Sequence, residues 1–161
     1  MKCVAFVLLL AILSGCQSRA QRPKPLPARQ LTQLEREFAR ASYTIVGHEA
    51  EIPPAVRSLV TPRPNPIANP GEEYNETDFI DSRKPMHQLV FAGISPNSAF
   101  VLYRTGSLVG PLLVLLITRT ERNEVTAYCT LVDGAAKVTD LKELQDLVSH
   151  GLQLRGGYGC D

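Results

Sequence analysis

The hydrophobic pattern of the chain changes period several times. From Val4 to Leu13 every position is apolar, with Lys2 before the run and Ser14 after it. At a rise of ~1.5 Å per residue this run reaches about half of a ~30 Å hydrocarbon layer, so it predicts a signal-peptide core and not a membrane-spanning helix. Further on, Leu31, Leu34, Phe38 and Ala41 recur at spacings of three, four and three, with Glu35, Arg36, Glu37 and Arg40 around the remaining turn. That spacing predicts one amphipathic helix of about four turns over 29–42. A stripe this narrow is expected to pack on its own domain, the alternatives being a partner or a membrane surface. Tyr43 to Val46 reads as a short strand or extended exit.

The second half switches to strand patterns. Gln88 to Ile94 is apolar and β-favouring, Ser95-Pro96-Asn97-Ser98 has turn chemistry, and Ala99 to Arg104 continues as the second arm of a hairpin. Leu112 to Ile117 is an unbroken aliphatic run, which predicts a strand buried on both faces. After a turn at Glu121-Arg122-Asn123, Val125, Ala127, Cys129 and Leu131 alternate with Thr126, Tyr128, Thr130 and Val132, giving an expected inward and outward set. Asp140 followed by Glu143 offers a helix N-cap, and Leu141, Leu144, Leu147 and Val148 form a stripe that stops before Gly151. The fold class expected is α+β: an antiparallel meander of about four strands with a C-terminal helix on one face, preceded by the amphipathic helix and a Pro-rich loop.

Proline marks what lies between. Nine of the twelve prolines fall between Pro23 and Pro70. Pro23, Pro25 and Pro27, interleaved with Arg19, Arg22 and Lys24, predict an extended, semi-rigid tether. The prolines from Pro53 to Pro70 remove N–H donors and restrict the residues before them, so 53–71 is expected to be a long loop without a helix. Glu72, Glu73, Glu76, Asp78 and Asp81 then make an acidic segment ahead of Arg83 and Lys84. Its spacing lacks the alternating oxygen ligands and turn glycine of a calcium loop, and a solvated loop is expected. Asn75-Glu76-Thr77 fits a glycosylation triplet, from which no modification is expected.

Over 161 residues, 17 Lys and Arg stand against 16 Asp and Glu, for a formal net charge of +1. No basic surplus supports generic nucleic-acid binding. Behind the apolar run stands Leu13-Ser14-Gly15-Cys16, which resembles the lipobox of bacterial lipoproteins: a branched apolar residue, two small residues, then a cysteine. The resemblance covers the first 16 residues. It implies cleavage before Cys16, lipidation of the Cys16 thiol, and anchoring by the three acyl chains typical of that family, where one would hold only marginally. The mature chain would sit on the membrane through its N-terminal lipid, facing the periplasm. Gln17, where an aspartate favours retention in the inner membrane of enteric bacteria, points to the outer membrane. The organisation expected is a signal peptide at 1–15, a lipid-anchored Pro/Arg tether at 16–28, the amphipathic helix and exit at 29–46, a Pro-rich and acidic loop at 47–86, and an α+β domain at 87–161.

On that reading Cys3 leaves with the signal and Cys16 carries lipid. Cys129 and Cys160 remain in an oxidising compartment, where they are expected to pair. The alternative, Cys129 as a nucleophile with a histidine base, conflicts with a strand pattern that turns it into the core. His48, His87 and His150 fit no metal-ligand spacing, and neither a nucleophile elbow, a P-loop nor a dinucleotide fingerprint is present. No catalytic residue, cofactor or metal site is expected. The function expected is a non-catalytic envelope lipoprotein that binds another envelope protein or a cell-wall component. A lipid-anchored inhibitor or sensor of a periplasmic enzyme is the alternative, and a hydrolytic or metal-dependent enzyme a third class. Cys16→Ser should abolish lipidation: palmitate labelling with detergent partitioning should find label on the wild type alone, and equal labelling of both would refute the anchor.

Overall fold

The computed structural model describes residues 32–61, 66–77, 80–108, 111–121, 124–132 and 138–150. The expected signal segment, lipobox and tether, and Cys160, lie outside the described residues.

Five antiparallel strands form one sheet in sequence order: β1 (Thr44–Val46), β2 (His87–Ile94), β3 (Ser98–Thr105), β4 (Leu112–Glu121) and β5 (Glu124–Val132). The fold is α+β. Tyr43 to Val46 supplies the extra strand, with Ile45 opposite Gly93. Ser95 closes the β2–β3 turn by donating its N–H to Ser98 O at 2.8 Å. Between Leu89 and Phe91 the β2–β3 register slips by one residue, a bulge at Val90 that turns both Val90 and Phe91 toward one face.

Both faces of the sheet are packed. On one, Phe91, Phe100, Leu102, Leu115, Ile117 and Val132 meet α1 (Gln33–Phe38) and α3 (Leu141–Ser149) through Phe38, Leu144 and Val148. On the other, Leu89, Ala99, Val101, Tyr103, Leu116 and Cys129 meet Ile52, Val56, Val60 and Ile67 from the segment between β1 and β2. Leu113 to Ile117 is buried throughout, as a strand apolar on both faces requires.

Two expectations are corrected here. The stretch from Pro53 holds a helix, α2 (Pro54–Val60), preceded by a 3₁₀ turn at Glu49–Glu51. Pro53 takes the N-cap and Pro54 the first turn, where the missing N–H has no helical acceptor to lose, and no proline interrupts Ala55 to Val60. Second, β5 is not one-sided: Thr130 and Val132, expected outward, are buried, while Ala127, expected inward, is exposed. The cover provided by α1 and α3 buries what alternation assigned to solvent.

Local chemistry sets the helix ends. Thr32 and Glu35 form a capping box at α1, with Thr32 N–H donating to Glu35 Oε2 at 2.6 Å and Glu35 N–H to Thr32 Oγ1 at 3.2 Å. Of the helix expected over 29–42, residues 29–31 lie outside the described residues, and α1 ends at Phe38. There Gln145 of α3 donates from Nε2 to Phe38 O and Ala41 O at 2.9 and 2.8 Å, which fastens the two helices together. Asp140 caps α3 as its sequence predicts, accepting from Glu143 N–H at 2.9 Å.

The rings of Phe38, Tyr43, Phe91 and Phe100 meet edge-on or tilted at centroid distances of 4.9 to 5.7 Å. Gly93 makes room for them. A Cβ at Gly93 would lie 2.2 Å from the Phe100 ring and 2.9 Å from Tyr43 Cβ, whereas one at Gly47 would meet nothing within 4 Å. Gly93→Ala should therefore destabilise the fold by about 1–3 kcal/mol through overpacking. Gly47→Ala should leave the urea midpoint within about 0.5 kcal/mol of the wild type; equal midpoints for both variants would contradict the packing described.

Candidate functional site

The end of the sheet where β2 begins and β3 finishes is built by the acidic segment. Asn75, buried, organises it. Its Nδ2 donates to Asp81 O, Lys84 O and Pro85 O at 3.1, 3.0 and 3.2 Å, and its Oδ1 accepts from Asp81 N–H at 2.8 Å. Its backbone N–H donates to Pro85 O at 2.8 Å. One side chain thus satisfies carbonyls and an amide that a loop would otherwise leave to water. The glycosylation triplet has a structural use for its asparagine.

This segment also rests on the sheet. A Cβ at Gly106 would stand 2.4 Å from Asn75 O and 2.7 Å from Thr77 N, so the glycine lets the two backbones touch. Gln88 donates from Nε2 to Glu72 O at 2.7 Å and accepts from Arg104 at 3.1 Å. Upstream, Ala68 lies parallel to Gln88, with Ala68 N–H donating to His87 O at 2.9 Å and Leu89 N–H to Ala68 O at 2.8 Å.

The carboxylates are paired more than their sequence suggests. Glu72 accepts from Asn69 N–H and Nδ2, and those bonds lower its pKa. Glu73 is lowered by hydrogen bonding and charge from Lys84 at 2.9 Å, and Asp81 by the side chain and backbone of Arg83. Between Glu73, Tyr74, Glu76, Asp81 and Lys84 lies an open depression of about 410 Å³. Its lining is ionic with one aromatic wall. The solvated loop expected from sequence is a folded one at this point.

The remaining candidates stand apart. Cys129 is buried and disulfide-bonded. It lies on the face of edge strand β5 opposite α3, so a bond to Cys160 would join the chain beyond α3 to the face that α3 does not cover. His48 and His150 are exposed at helix ends. His87 packs against the Tyr103 ring at 5.1 Å with its Nδ1 buried and without a partner, and burial lowers its pKa. Burial alone pushes the Tyr103 phenol up to about 12. Among the described residues no group of three or more His, Cys, Asp or Glu is arranged to hold a metal ion, and no helix is long and apolar enough to cross a membrane. Sequence reasoning missed Asn75 and His87, since nothing in a linear pattern tells a buried asparagine from a turn asparagine.

Comparison with models of protein families, with characterised proteins and with solved structures returns no match for this chain.

For the disulfide, closing a loop of about 30 residues corresponds to roughly 3–4 kcal/mol in the chain-entropy description. Reduction should lower the thermal midpoint by about ten degrees, and thiol titration of the denatured, unreduced mature protein should find none. Two titratable thiols per chain would contradict the expected Cys129–Cys160 pairing.

Proposed function

We propose that this chain is a lipid-anchored envelope protein whose non-catalytic domain binds another envelope protein or a cell-wall component. The lipobox Leu13-Ser14-Gly15-Cys16 supports the anchor. The observation that carries the binding role is at the acidic end of the sheet. Both sheet faces are filled by the chain's own side chains, yet Ile80 and Leu108 are left 61% and 88% exposed on two loops that meet at Gly106. Apolar side chains left in water on these loops, together with the ionic depression of the acidic segment, support a contact role for this end of the sheet.

A photo-crosslinking residue placed at Leu108 of the full-length, lipidated protein tests this in cells. Irradiation should give a discrete adduct with an envelope protein or a muropeptide, absent when the same residue replaces Lys142 on the exposed side of α3. No adduct at position 108, or equal adducts at both positions, would overturn the binding role.

A further inference from the structure

The outer edge of β2 is covered by two short pieces of chain. β1 pairs with Ala92 to Ile94, and the strap at residues 66–69 covers the other half through the two Ala68 hydrogen bonds. The side chain of His87, whose carbonyl receives the strap, points to the face that carries Leu89 and Tyr103. Its Nδ1 is enclosed and meets no acceptor. We infer that His87 is an acid-sensitive latch: protonation of its imidazole releases the 66–69 strap from β2 and uncovers that edge while the rest of the sheet stays folded.

Among the described residues no counter-charge is committed to an imidazolium at this position. From β3 the titratable group on this face is Tyr103, neutral at any pH in question, while Arg104 turns to the opposite face and donates to Gln88. From the segment that crosses this edge, Glu72 is turned onto Asn69, Glu73 onto Lys84 and Asp81 onto Arg83, and Glu76 lies exposed beside Tyr74. From the helix side, Arg57 of α2 is taken by Glu49 at 2.6 Å. A proton on the enclosed Nδ1 needs water or an acceptor, and the strap, which holds the His87 carbonyl and sets Ile67 in the buried cluster of Leu89 and Tyr103 on this face, is the cover whose opening supplies it. Burial holds the folded-state pKa below the free value of about 6.5, so the strap has its full stability above that pH and loses it as pH falls through the folded-state pKa. Strand edges left open in this way accept further strands, which makes the strap a cover with a consequence.

Hydrogen exchange on the full mature protein reads the latch directly, because Ala68 and Leu89 own the two amides concerned. Between about pH 7.5 and about 5.0, after correction for intrinsic exchange, their protection should fall relative to central-strand amides such as Leu102 and Leu115. His87→Phe should keep that protection at both pH values. In the wild type the His87 ring resonance should titrate with the same midpoint as the loss of protection, below 6.5, which tests the latch even if the variant folds poorly. Unchanged protection at pH 5.0, a parallel loss across β3 and β4, or a ring midpoint at or above 6.5 would overturn the proposal.

Discussion

Strands β3 and β4 carry apolar side chains on both faces, and the rest of the molecule is arranged to keep both faces from water. Ala99 to Tyr103 and Leu113 to Ile117 are all buried. Each large aliphatic or aromatic side chain among them contributes roughly 1.5–3 kcal/mol when fully removed from water. A meander with a single helical layer would leave half of that gain unrealised. Two covers are therefore needed, and they come from opposite parts of the sequence: α1 with α3 on one side, the segment between β1 and β2 on the other.

The second cover changes what the Pro-rich segment means. Prolines that exclude an interior helix position are compatible with its start, and Pro53 and Pro54 stand at that start. Ile52, Val56, Val60 and Ile67 then reach the sheet from a short helix and its flanks. Downstream, the acidic segment is held by Asn75 and by pairs with Lys84 and Arg83, so its charges do not repel it into an open coil. A region with the composition of a spacer thus serves as one layer of the domain and as the scaffold of its ionic end.

Edges complete the account. β1 has three residues and leaves half of β2 to the Ala68 bridge, a minimal cover of two hydrogen bonds. Ile45 stays 47% exposed on that edge strand. Short edge strands and local covers limit pairing with other chains. On the far side, β5 is an edge in the strand order, and it carries Cys129.

Several elements were legible in the sequence for local reasons. The hairpin of β2 and β3, the two-sided burial of β4 and the Asp140 cap of α3 each rest on periodicity or on a side chain reaching a backbone group three residues away. The helix at Pro54, the burial of Thr130 and Val132, the role of Asn75 and the enclosure of His87 were decided by tertiary structure. Each depends on a surface contributed from elsewhere in the chain: the sheet under α2, α1 with α3 over β5, the carbonyls of residues 81–85 around Asn75, and Tyr103 beside His87. Periodicity records which positions are apolar, while burial of a polar group depends on partners whose approach no local pattern encodes.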